Sequence, residues 1–342
     1  RSIPGLVLTD HEFQAPLDSS RPGAGTLSLF AREVCAAEHA GKKLPWMIFF
    51  QGGPGYPGPR LLGRSGWMKR AVQDYRVLLI DERGTGRSEQ VCAQSLARFS
   101  TVKERGDYLT HFRADAIVRD AEFIRRELLA PGEKWTALGQ SFGGFCVTQY
   151  LSAAPEGLEA AIITGGLTPI GRTADEVYLA SHKVVARKNR LYYERYPEDR
   201  DRVRRIVEVL ESQDVLLPCG ERLSRRRFLQ LGLQFGFHDG FEVVHYLVEG
   251  AFVKGAKGPE LGYPFLCDYE AILTYRQAPI FSMLQEACYA EGPATNWAAE
   301  RIRAKYPEFE RNEPEILFTG EMMFRWMFEE YAHLRQLREE AE

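Results

Sequence analysis

The stretch WTALGQSFGGFCVTQYLSAAP, residues 135–155, decides how the rest of the chain is read. An apolar run of strand character, WTALG, gives way to a helical run, CVTQYLSAAP, and Gly139-Gln140-Ser141-Phe142-Gly143 lies across the change. This is G-x-S-x-G in the setting its mechanics require, with a strand before, a tight turn and a helix after. Small residues two places either side of the serine let its backbone take a strained conformation, which lifts Oγ clear of the sheet edge. The helix that follows points its N-terminus at the reacting centre and favours the negative charge that forms there. Ser141 is the candidate nucleophile.

Outward from this turn, residues 24–165 alternate short apolar strands with helical stretches, which predicts an α/β fold with a mostly parallel central sheet. Strands are expected at TLSLFAREV (26–34), WMIFF (46–50), RVLLI (76–80), WTALG (135–139) and EAAIIT (159–164). A helix is expected over DAIVRDAEFIRRELL (115–129), with Asp115 able to cap it. After GGLTPIG (165–171) the texture changes to long, charged, amphipathic helical segments, and strand-like runs almost vanish until EILFTG (315–320). The expected organisation is a core over 1–171, a helical cap over 172–312 sitting on the sheet, and a cap end or return towards the core over 313–342.

Composition narrows the function. The 342 residues are 44% hydrophobic and 27% charged, as in an ordinary soluble globular protein, and are long enough for one large domain with a sizeable insertion. A formal charge of −3 offers no basic excess to hold a nucleic acid or an anionic membrane. No apolar run reaches the length that spans a bilayer. Cys35, Cys92, Cys146, Cys219, Cys267 and Cys288 are far apart, with no CxxC pair and no metal-ligand spacing. Free thiols in a reducing, cytoplasmic compartment are expected, and no metal or organic cofactor is implied.

Two further loops follow strands. QGGPG (51–55) comes after WMIFF, and so much glycine at a strand end implies close approach of a ligand to the backbone. An oxyanion hole in this architecture uses the N–H of the residue after the nucleophile, here Phe142, and a second N–H from the loop after an earlier strand. Gly53, or else Gly52, is the natural second donor, because Pro54 has no N–H. DERGTGRS (81–88) follows RVLLI; Asp81 and Arg83 could form a buried ion pair bracing the loop, or the stretch could be a plain β-turn with Gly84 and Gly86.

QGGPG, DERGTGRS and GQSFGG, in this order and at these separations, resemble the proline iminopeptidase (prolyl aminopeptidase) family of α/β-hydrolases over about residues 40–342. The family's first motif usually reads HGGPG; Gln51 in place of histidine, with the long cap, is similar to its larger-cap branch. The resemblance implies an α/β-hydrolase fold with a large helical cap insertion, and a serine aminopeptidase that removes N-terminal proline from small peptides. Such a substrate brings a free ammonium or iminium group, which calls for carboxylates. By resemblance LQEACYAEG (284–292) supplies Glu286 and Tyr289; HYLVEGAF (245–252) offers Glu249 as a second carboxylate, and Glu291 is a further candidate. Phe235, Phe237, Tyr246 and Phe252 could wall an apolar proline pocket or simply pack the cap.

A hydrolase of this order needs an acid and then a histidine after the nucleophile. The later histidines are His182, His238, His245 and His333, none of them in a short loop after a late strand, and Glu321 after EILFTG is the nearest thing to an acid. The expectation is that both triad partners, with the C-terminal part of the fold, lie outside this sequence. Two other readings remain open at this point: an esterase or amidase of the same fold acting on an uncharged acyl group, and a non-catalytic hydrolase-like binding protein.

Overall fold

The computed structural model describes residues 1–21, 23–256, 258–273 and 278–342. Seven strands form one sheet: β1 (Ser2–Ile3), β2 (Leu6–Pro16), β3 (Thr26–Ala36), β4 (Trp46–Phe50), β5 (Arg76–Asp81), β6 (Trp135–Gln140) and β7 (Leu158–Thr164). Their order across the sheet is β1-β2-β3-β5-β4-β6-β7. The first three strands and the β3 to β5 pairing are antiparallel, whereas β5, β4, β6 and β7 run parallel. All five strands expected from sequence are present, with ends within two residues of those expected.

The parallel strands β4, β5 and β6 are buried on both faces, which is why they read as unbroken apolar runs rather than alternating ones. Ile48, Phe50, Leu78, Ile80 and Ala137 pack on one side against Ile117, Ile124, Val147 and Tyr150. Met47, Phe49, Val77 and Leu79 pack on the other against Met68 and Val72. At the sheet's outer edge, residues 159–162 of β7 are exposed.

Two local expectations are corrected, and β2 adds a strand to those expected. β2 was not anticipated, because Asp10, His11 and Glu12 break its apolar pattern; the first two meet partners across the β2/β3 ladder, Arg32 at 2.7 Å and Glu33 at 3.0 Å. The helix over Ala114–Leu128 has no side-chain cap, and Asp115 sits in its first turn, 2.9 Å from Arg119. EILFTG is not a strand. It threads between helices with its backbone bonded elsewhere: Phe318 N–H and C=O to the Asn189 amide, Thr319 N–H to Leu229 C=O, and Ile316 C=O to the Tyr193 hydroxyl.

The chain divides into two compact units. Unit 1 is Arg1–Ile170, Ala278–Cys288 and Glu339–Glu342, and unit 2 is Gly171–Gln277 and Tyr289–Arg338. The short stretch 278–288, which the sequence places inside the helical insertion, groups with unit 1. Its Phe281 lies edge-on to Tyr56 at 6.0 Å, its Ala287 C=O accepts from Arg113, and its Cys288 packs on the sheet's core. In unit 2 the helices Ala174–Arg195, Asp199–Ser212 and Gly240–Glu249 surround buried rings that include Tyr192, Phe235 and Phe318. Thr173 and Glu176 close a reciprocal capping box at the start of the first of these helices. No helix among the described residues is long and apolar enough to cross a membrane.

Candidate active site

Ser141 stands at the end of β6 with φ 54° and ψ −122°, a backbone state that costs a non-glycine residue on the order of 1–3 kcal/mol. Its surroundings hold it there. Ser141 N–H donates to Thr164 C=O at 2.9 Å, and its own C=O accepts from Gly144 N–H at 2.8 Å. The turn also depends on close approach: a Cβ on Gly143 would lie 2.1 Å from Phe50 O, and one on Gly166 would lie 1.9 Å from Ser141 O. The helix Phe142–Ala153 begins at the next residue, so the Phe142 N–H belongs to the unbonded first turn.

Strand register brings the glycine loop to the same place. Phe50 on β4 is paired with Gly139 on β6, so the same register carried two residues further sets Gly52 beside Ser141. A Cβ built on Gly52 would lie 3.0 Å from Ser141 Cβ and 3.6 Å from Oγ. Gly53, half-buried at φ 147°, follows it, and a Cβ there would meet Gly55 N at 2.9 Å and the Tyr56 ring at 3.0 Å.

The Asp81–Arg83 ion pair does not form. Asp81 is taken by Arg60, at 2.8 and 2.5 Å, and also accepts the backbone N–H groups of Gly58 and Arg87. Gly86 is required at φ 55°, since a Cβ there would lie 2.2 Å from Asp81 Oδ2. Arg83 turns to Asp120 on the Ala114–Leu128 helix, in a bidentate buried pair at 2.7 and 2.5 Å. The motif thus braces the loop through two longer-range pairs.

Between these arginine-bound aspartates lies a residue the sequence reading passed over. Glu82 is 2% exposed, and among the described residues neither of its carboxyl oxygens has a hydrogen-bond partner of good geometry. Burial pushes this carboxyl well above the usual carboxylate range; the Gln51 N–H draws it down, and the Asp81 and Asp120 charges raise it further.

The expected substrate-binding residues are divided between the units. Glu286 is buried in unit 1 and opens the short 3-10 helix Glu286–Tyr289. Tyr289 is in unit 2, edge-on to Tyr178 at 6.0 Å. Glu249 ends a helix of unit 2, exposed and 3.8 Å from Arg202, and Glu291 is exposed. The four aromatics do not form one wall: Phe235 is buried among Tyr192, Phe241 and Phe318, Phe237 and Tyr246 are exposed, and Phe252 lies under Arg205.

All four histidines after Ser141 are in unit 2. His182 donates to Tyr178 C=O at 2.8 Å and stacks on Tyr306; burial lowers its pKa. His245 pairs with Asp199 at 2.9 Å, His238 is exposed, and His333 is edge-on to Tyr331. Glu198, Asp199 and His245 are close enough together to hold a metal ion, but Asp199 is already engaged by Tyr192, Arg202 and His245.

Residues 45–210 match the alpha/beta hydrolase fold family. A thermophilic esterase from Thermogutta terrifontis is a structural neighbour at 18% identity and TM-score 0.33, covering 53% of this chain and 54% of that one. A proline iminopeptidase of Aeromonas sobria is 44% identical over 99% of this chain and 79% of its own length. A proline iminopeptidase of Aspergillus aculeatus is 39% identical over 99% of this chain and 77% of its own. Identity at that level runs through the whole length rather than the neighbourhood of the serine alone, and the chain therefore belongs to the proline iminopeptidase family of α/β-hydrolases.

Proposed function

We propose that this chain is a serine aminopeptidase that releases N-terminal proline from small peptides through an acyl-enzyme, in a reducing, cytoplasmic compartment. The observation that carries the reading is Ser141 held at positive φ at a helix N-terminus with the Gly52 backbone against it, in a chain related over 99% of its length to proline iminopeptidases. Ser141 Oγ attacks the scissile carbonyl and gives up its proton, the N–H groups of Gly53 and Phe142 hold the oxyanion, and the C–N bond breaks as the amine of the shortened peptide leaves with a proton in place of the acyl group. Water then hydrolyses the prolyl ester.

Glu286 is proposed to pair with the substrate's charged amine, since recognition of a free ammonium or iminium group calls for a carboxylate. Tyr289 and Glu249 are the further candidates for substrate binding. The compartment rests on six cysteines, none of them in a disulfide.

Hydrolysis of proline p-nitroanilide tests the reading. Ser141→Ala should lower kcat by roughly 10⁴-fold or more, and a fluorophosphonate should label the wild type at Ser141 and not the variant. Absence of both activity and labelling in the wild type would overturn it.

A further inference from the structure

Three parallel strands end side by side at the site. Phe49 on β4 is paired with Leu79 on β5, and Phe50 on β4 with Gly139 on β6. Carrying both registers past the strand ends puts Glu82, Gly52 and Ser141 in one row, at the carboxyl end of the strands where α/β sheets bind ligands. At the spacing of neighbouring strands, the Glu82 main chain lies ~5 Å from Gly52 and ~10 Å from Ser141.

Among the described residues the Glu82 carboxyl has no counter-charge in this row. Asp81, next to it in the chain, is bound to Arg60; Asp120, on the Ala114–Leu128 helix, is bound to Arg83; Asp115 on that helix is paired with Arg119. On the nucleophile helix its neighbour is the Cys146 thiol, which burial keeps neutral, with Cys288 beyond it. Arg60, Arg83 and Arg119 are thus each committed to another carboxylate. A carboxyl enclosed in this way is held as the uncharged acid, because an unpaired buried carboxylate costs several kcal/mol.

We propose that Glu82 is a positioning residue of the oxyanion loop, present as the uncharged acid beside residues 51 and 52, and that its ionisation sets an alkaline limit on acylation of Ser141. The proposal rests on the reading of Ser141 as nucleophile and of the glycine loop as oxyanion donor. Acylation builds negative charge on the substrate's carbonyl oxygen. A second full negative charge one or two strands away, in a medium of low dielectric, opposes it; the uncharged acid does not.

Two measurements on the protein test this. In infrared spectra taken on the acidic side of the wild type's alkaline limb, the wild type minus Glu82→Gln should show the carbonyl stretch of a protonated carboxylic acid; its absence overturns the proposal. The second is kcat/KM on p-nitrophenyl acetate from about pH 6 to 9.5, an ester with no amine of its own to titrate. The wild type should fall about tenfold per pH unit on its alkaline side, while Glu82→Gln holds its rate for at least about one unit more, the change residing in kcat. An alkaline limb that is absent in the wild type, or unmoved by the substitution, overturns it. If Glu82→Gln does not fold, Glu82→Met, similar in volume and unable to ionise, supplies the same comparison. Loss of ester turnover and of fluorophosphonate labelling in the wild type would instead sink the nucleophile reading and leave the infrared result standing.

Discussion

Glu82 in unit 1 and Asp199 in unit 2 are both acidic, both almost fully buried, and provided for in opposite ways. Asp199 Oδ2 accepts from the Tyr192 hydroxyl at 2.5 Å and from His245 at 2.9 Å, and Oδ1 pairs with Arg202 at 2.7 Å. Tyr196 stacks on the same His245 with ring centres 3.8 Å apart. Glu82 has no such set. Buried polar groups are nearly always satisfied, so the saturated carboxyl reads as scaffold, while the unsatisfied one, at a strand end in the row that holds Gly52 and Ser141, is where the proposed function would draw on local stability.

Substitutions can break that contrast. The largest expected effect is at Asp199: Asp199→Ala strands a tyrosine hydroxyl, a histidine and an arginine, and should lower the unfolding free energy in urea by about 3–5 kcal/mol. Fluorophosphonate labelling of the molecules that remain folded should be unchanged; a parallel loss of labelling would make Asp199 more than scaffold. Next comes Gly143→Ala, whose Cβ would sit 2.1 Å from Phe50 O. Displacing Ser141 by even ~1 Å should slow its labelling about 10²-fold, whereas an unchanged rate would show that the turn tolerates a side chain.

The contrast is sharpened by the pH dependence of melting. With its folded pKa raised above the ordinary 4.5, Glu82 keeps a proton that the unfolded chain gives up. Its contribution to stability is therefore full below about 4.5 and is lost as pH rises towards the folded value. Glu82→Gln should melt higher than the wild type at alkaline pH, and this advantage should vanish on acidification through that window. A pH-independent difference would mean that Glu82 is charged in the fold. The smallest effect belongs to Glu249→Gln, where an exposed carboxylate 3.8 Å from Arg202 should change stability by no more than about 0.5 kcal/mol.

Much of unit 1 was legible because its signals are local. Strands buried on both faces leave apolar runs such as WMIFF and RVLLI, and the turn around Ser141 has to spell itself in glycines because backbone carbonyls occupy the space a Cβ would need. Partner choice was not legible. Asp81 meets Arg60, 21 residues earlier, and Arg83 meets Asp120, 37 residues later, pairings that depend on how loops close rather than on spacing within DERGTGRS. Nothing in the sequence around Glu82 reveals its burial. EILFTG misled for a related reason: an apolar run says that a segment is buried, not what its backbone is bonded to.

That last segment carries a device of its own. The Asn189 side chain donates to Phe318 C=O at 2.9 Å and accepts from Phe318 N–H at 2.8 Å, which is what a peptide group on an adjoining strand would do. A helical residue thereby imitates one rung of a β-ladder. The imitation serves a single residue, so it also acts as an index pin: if residues 315–320 slid by one position, Asn189 would face a neighbour whose N–H and C=O point the other way, and both bonds would be lost at once.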